Sequence, residues 1–249
     1  MCIAVFKPMG EAFPTKNQFK TMFANNPDGC GFMYADGSKV NIKKGYMSFN
    51  SFWKAFAPYR ERVDLAFAFH FRIATHGGVS RQMTQPFPYT DRLGELKRLD
   101  TRAPLGIAHN GIIPITYDAK KISDTALFIK KYLTRIVRTP YNIKQVDLDI
   151  IDACIDSKMV LLQPNGNAYL IGKFINDNGV YYSNASYIVG SYYTTKPNKA
   201  KLYSYDTYDY DTLDASEVVD AHTPFWKYYG YNSYEEYVHD ICYYDNEYV

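Results

Sequence analysis

The sequence predicts an α+β fold: largely antiparallel sheets packed with helices. Three observations carry that prediction. Strand-like runs come first, a block of helical runs follows, and strands return, with no regular strand–helix alternation. Turn signals at Asp36-Gly37, Pro164-Asn165-Gly166-Asn167 and Asn176-Asp177-Asn178-Gly179 join neighbouring strand runs. The chain has 249 residues, 47% hydrophobic and 22% charged, enough to bury a sizeable core and too apolar for wholesale disorder.

The elements follow in order. Met1 to Phe6 is a short apolar strand at the amino terminus. Pro14 to Asn25 has helical spacing, with Phe19, Met22 and Phe23 at i, i+3 and i+4. Asn25-Asn26-Pro27-Asp28-Gly29 is turn chemistry, and Cys30 to Tyr34 with Lys39 to Lys43 forms a hairpin. Asn50 to Arg62 is a second amphipathic helix with Phe52, Trp53 and Phe56 on one face. Leu65 to Ala74 and Leu105 to Ile113 are nearly continuous apolar strands, as expected when both faces are buried. Ser123 to Val137 is a helix with Ser123 or Asp124 as its N-cap, and Val146 to Ile155 is another. Met159 to Leu162, Ala168 to Phe174 and Val180 to Tyr182 are the closing strands.

Composition excludes several function classes. No apolar run approaches the ~20 residues of a membrane helix, and no signal segment opens the chain, so a membrane role is not expected. The four cysteines, Cys2, Cys30, Cys154 and Cys242, lack close pair spacing, and the five histidines form no ligand pattern. A disulfide scaffold and a metal site are therefore not expected, and a reducing cytoplasm is. The net charge of +2 hides an asymmetry. From Tyr203 onward, eleven Asp or Glu residues face one lysine, a segment charge of −10 against +12 for the remainder. Twelve of the 25 tyrosines also lie past residue 202. The composition changes at Lys196-Pro197-Asn198-Lys199, which divides the chain into a domain at 1–195 and an acidic, Tyr-rich extension at 196–249. The extension is expected to fold against its own basic body or to meet a partner. Direct nucleic-acid binding is disfavoured because the positive charge is spread along the chain.

Four motifs can carry chemistry. Cys2 becomes N-terminal if Met1 is removed, and a thiol beside an α-amine of pKa ~8 brings its own base. His70-Phe71-Arg72-Ile73-Ala74-Thr75-His76-Gly77-Gly78 ends an apolar strand in polar groups, with Arg72 offering a planar fork to a carboxylate. In Ala108-His109-Asn110-Gly111-Ile112-Ile113, the Asn amide and Gly N–H can offer two donors to an oxyanion, although Asn-Gly is equally a turn signal. Ser123-Asp124-Thr125 is a helix cap that also presents a carboxylate to a ligand ammonium. His70 and His109 read as strand residues with satisfied hydrogen bonds.

Taken together, in this order, the motifs resemble those of the class II glutamine amidotransferases of the N-terminal nucleophile hydrolase superfamily. The resemblance spans roughly Cys2 to Tyr187, with Asn26-Pro27-Asp28-Gly29-Cys30-Gly31 similar to an early family segment and Tyr182-Ser183-Asn184 in a closing strand. Two positions depart from the pattern: Asn25 stands where that segment opens with arginine, and Ile73 stands where an aromatic follows the pocket arginine. The resemblance implies a four-layer αββα sandwich. It implies Cys2 as nucleophile with its α-amine as base, and Asn110 with Gly111 as oxyanion hole. Arg72 would hold the substrate carboxylate and Asp124 its ammonium, while Thr75 and His76 would line the pocket. Glutamine would be converted to glutamate and ammonia through a γ-glutamyl thioester, with no cofactor. The 50 or so residues past the motifs are too few for a synthetase module, so a separate ammonia-accepting enzyme is the expected partner. A homo-oligomer is left open. Two alternatives stand beside this expectation: an amidase for another γ-glutamyl compound, and a non-catalytic interaction protein on the same scaffold.

Overall fold

Alternation along the central strands sets the architecture of the computed structural model, which describes residues 2–74, 78–115 and 122–189. In β1 (Ile3–Lys7), Ile3 and Val5 face one side and Ala4 and Phe6 the other. The same period of two runs through β2 (Cys30–Ala35) and β3 (Val40–Tyr46), which form the expected hairpin, and through β4 (Phe67–Phe71). Phe67, Phe69 and Phe71 face outward onto α1 (Lys16–Asn25) and α2 (Phe49–Phe56), while Ala66 and Ala68 face inward. Phe19 of α1 anchors the outer layer, its ring 4.9 Å from that of Phe69 and 5.6 Å from that of Phe52.

Beyond β4 the chain forms β5 (Phe87–Pro88), α3 (Leu93–Leu96), β6 (Asp100–Ala103) and β7 (Gly106–Asn110). A helical block follows. α4 (Asp124–Phe128) runs through a wider π turn at Ile129–Leu133 into α5 (Thr134–Ile136), and α6 (Gln145–Ile155) comes next. The described chain ends with β8 (Lys158–Leu162), β9 (Ala168–Ile171), β10 (Ile175–Asp177) and β11 (Val180–Tyr182).

Among the described residues every strand pairing is antiparallel. One sheet has the order β10-β11-β1-β4-β2-β3-β6 and the other β5-β7-β8-β9. Ala4, Ala66, Ala68 and Ala103 of the first meet Ala108, Val160 and Leu162 of the second. Phe6, Met33, Val40 and Ile42 of the first sheet complete this layer. On its far face, the second sheet packs Ile107, Met159 and Leu161 against Phe128, Leu133, Ile151 and Ile155 of the helical block. Helices thus cover both outer faces of two stacked antiparallel sheets, in agreement with the mixed α+β expectation.

Local differences have local causes. The second helix stops at Phe56 and tightens into a 3-10 turn at Ala57–Tyr59, short of the expected Arg62. Pro58 has no N–H to continue the α ladder. The strand expected over Ala168 to Phe174 ends at Ile171 because Gly172 takes φ +79°, and Ile175–Asp177 forms a separate strand. Asn178 and Gly179, at φ +50° and +80°, make the tight turn between β10 and β11. The acidic extension expected over 196–249 lies outside the described residues.

Candidate functional site

The pairing of β1 with β4 sets Ile3 opposite Phe71, so Cys2 and Arg72 follow in step at adjacent strand ends. Both lie on the inner side, since Ile3 and Phe71 point to the helices. The Cys2 Sγ lies 3.3 Å from both Ile73 O and Ile73 N, donating to the first and accepting from the second. Asn184 Nδ2 holds the Cys2 carbonyl at 2.7 Å. Burial pushes the Cys2 thiol up from its ordinary pKa. The Ile73 N–H and the Arg72 charge pull it back down, and the Asp124 charge pushes it up. A thiol, a cation and a carboxylate therefore share one electrostatic environment.

Arg72 is buried and its backbone is braced by the turn at residues 26–29. Its N–H donates to Gly29 O and its carbonyl accepts from Asp28 N, both at 2.9 Å. Asp28 Oδ2 takes the Ala74 N–H at 2.8 Å, and Arg72 Nη1 donates to Gly78 O at 2.8 Å. The expected pocket residues Thr75 and His76 lie outside the described residues.

The Asn110-Gly111 motif is no hairpin turn. Asn110 closes β7, which pairs with β5 and β8, and Gly111 leaves the strand at φ +153°. That conformation favours glycine, and a Cβ there would stand 2.3 Å from Ser157 Cβ. Strand alternation divides the motif. Ile107 and His109 face the helices, while Ala108 and Asn110 face the sheet that carries Cys2. The Asn110 side-chain amide lies 2.9 Å from Ser183 Oγ, which also accepts the Ala4 N–H at 2.9 Å. One serine oxygen therefore places Asn110 two residues along β1 from the thiol.

A buried side-chain network fixes this end of β7. Gln85 accepts the His109 N–H at 2.7 Å and donates to the His109 carbonyl at 3.2 Å, like an added strand residue. His70 Nε2 donates to the same carbonyl at 2.9 Å, a bond that crosses between the sheets. Ser157 Oγ spends its proton on Ile155 O, so His109 Nε2 carries the hydrogen of the 2.7 Å bond to Ser157. His109 Nδ1 then accepts from Thr125 Oγ1 at 3.0 Å. Burial keeps both rings neutral, pushing His109 down to about 4 and His70 to about 3. The expectation of satisfied histidines holds for His109. His70 Nδ1 is buried without a hydrogen-bond partner among the described residues.

Asp124 sits in the first turn of α4, where Ser123 Oγ caps the helix by accepting Ala126 N at 3.2 Å. Its carboxylate is aimed by two main-chain donors, Ile113 N at 2.9 Å and Thr125 N at 2.7 Å. Behind the site, the buried Lys44 ammonium donates to Gln82 O at 3.0 Å and Leu96 O at 2.7 Å, and lies 3.8 Å from the Phe87 ring centroid. It ties β3 to the segment that delivers Gln85. Desolvation pulls its pKa well down.

The structure thus gathers Cys2, Arg72, Asn110, Gly111 and Asp124 from four separate segments. Gln85, Ser157 and Ser183 join them without having been given a role from sequence. Gln85 and Ser157 lie in stretches with no motif of their own, and only the Tyr182-Ser183-Asn184 run offered a signal. Among the described residues, no cluster of His, Cys, Asp and Glu could hold a metal, and no helix is long and apolar enough to cross a membrane. No protein-family model matches the chain, and no curated protein matches it.

Proposed function

We propose that the chain is a class II-type glutamine amidotransferase or glutaminase of the N-terminal nucleophile type, acting through Cys2. The observation that carries this reading is the convergence around one thiol of a buried arginine, a main-chain-aimed carboxylate and an Asn-Gly pair at a strand end. Glutamine is a zwitterion, and fixed charges of opposite sign are what its amino-acid end requires.

The reaction divides among these residues. With Met1 removed, the Cys2 α-amine takes the thiol proton, and the sulfur attacks the side-chain amide carbon of glutamine. The carbonyl oxygen becomes an oxyanion held by Asn110 Nδ2 and the Gly111 N–H. The proton passes from the α-amine to the amide nitrogen, the C–N bond breaks and ammonia leaves. The γ-glutamyl thioester that remains is cleaved by water, which returns a proton to the sulfur and releases glutamate. Arg72 binds the substrate carboxylate and Asp124 its ammonium throughout.

The test is glutamate release from glutamine by chain lacking Met1, beside Cys2→Ala. Release that disappears in the variant is expected; undiminished release in Cys2→Ala overturns the reading. Because Arg72 and Asp124 address only the amino-acid end, a panel of γ-glutamyl amides tells glutamine from a bulkier substrate by kcat/KM.

A further inference from the structure

We propose that Ser183 is a positioning residue that sets which end of the Asn110 amide meets the substrate oxygen, by donating its hydroxyl proton to Asn110 Oδ1. The inference rests on the oxyanion role proposed for Asn110.

Ser183 follows β11 and is fully buried. Its main chain is pinned on both sides, the N–H donating to Ala4 O at 2.9 Å and the carbonyl accepting Lys158 Nζ at 2.6 Å. Only the hydroxyl is left to turn. With Asn110 Nδ2 directed at it, Ser183 Oγ accepts twice, from Ala4 N and from Asn110, and its own proton has no acceptor among the described residues. Asn110 Oδ1 is meanwhile buried with no partner among the described residues. A buried acceptor and a donor are both wasted within one contact, which buried polar groups rarely tolerate.

Turning the amide by 180° about its last side-chain torsion leaves its shape almost unchanged, because oxygen and NH₂ are nearly isosteric. Asn110 Oδ1 then accepts the Ser183 proton, and both wasted groups are satisfied together. The one Nδ2 hydrogen that met Ser183 is released, and neither Nδ2 hydrogen then has a fixed acceptor among the described residues. A tetrahedral oxyanion at Cys2 supplies one. The unturned amide would present oxygen to that anion and repel it. Selecting the turned form is therefore a catalytic requirement as well as a hydrogen-bonding preference. The Ala4 N–H contributes by occupying a serine lone pair from the β1 side, so the strand that carries Cys2 also helps set the rotor.

The test combines kinetics with a direct view of the protons. In Ser183→Ala, kcat for glutamine should fall about 10- to 100-fold with KM within about twofold, a fraction of the loss from deleting the oxyanion donor itself. Ser183→Thr, which keeps the hydroxyl, should recover most of kcat. Adding Ser183→Ala to Asn110→Ala should cost nothing further, because the serine acts through the amide. Equal losses in both backgrounds overturn the proposal. Neutron diffraction from deuterium-exchanged wild-type crystals reads the same point without turnover. A deuteron on the Ser183–Asn110 line, with ND₂ directed away, is expected, whereas ND₂ bonded to Ser183 overturns the proposal. Wild type lacking Met1 that releases no glutamate overturns the glutamine reading instead, and the neutron map still decides the amide orientation.

Discussion

Two strand ends meet at the thiol, and they are held in opposite ways. At the β1–β4 end, main-chain groups do most of the holding. Cys2 rests on the Ile73 backbone, and Arg72 is braced by Gly29 and Asp28 main-chain groups. At the β7 end, side chains do it: Gln85, His70, Thr125, Ser157 and Ser183 converge on His109 and Asn110. On the proposed reading the sulfur must change bonding partners during the reaction, and main-chain contacts to it leave it able to do so. The oxyanion donor proposed at Asn110 must already be aimed when charge develops, and a densely bonded side-chain network would provide that preorganisation.

Four perturbations break or sharpen the contrast. The largest effect is expected at the lightly held end, where Cys2→Ala should lower glutamate release by roughly 10³-fold or more, read in a coupled glutamate assay. Next, Asn110→Ala should lower kcat by about 10²- to 10³-fold with little change in KM, as for loss of an oxyanion donor. A comparable rise in KM would instead place Asn110 among ground-state contacts.

The third concerns acid stability and belongs to the network end. His70 and His109 are held near 3 and 4 by burial, below the ordinary value of about 6.5. The unfolded chain therefore binds protons that the folded chain refuses, and stability present at neutral pH is lost as pH falls below about 6.5 toward those folded values. The loss should be about 1.4 kcal/mol per pH unit for each histidine. Urea melts between pH 4 and 7 measure the slope, and replacing either ring by Gln should remove about half of the pair's share. An unchanged slope would remove the two rings from the acid response. The smallest effect is expected from Arg72→Lys. It keeps the charge and loses the planar fork, so KM for glutamine should rise about tenfold with a lesser effect on kcat.

Much of the fold was legible because its period is strong. Phe19, Met22 and Phe23 marked a helix, and the phenylalanines of β4 marked a strand buried on both faces. β5, α3 and β6 were not legible. β5 has only two residues, and Asp100–Ala103 is an edge strand of mixed polarity with no clean alternation. The candidate site was legible only in the joint order of its motifs, because Cys2, Arg72 and Asp124 each have common structural uses when taken singly. It was obscure at Asn110-Gly111, where a turn dipeptide ends a strand, and at Gln85 and Ser183. Those two matter only through contacts 24 and 73 residues away in sequence, on His109 and Asn110.

The central claim is that an N-terminal Cys2 is the nucleophile, and intact-mass measurement after exposure to a thiol-directed glutamine analogue tests it most directly. The predicted spectrum is chain lighter by Met1 carrying one adduct, mapped to Cys2 and suppressed by excess glutamine. Met1 retained on protein purified from its native host, or labelling that glutamine does not protect against, would contradict it.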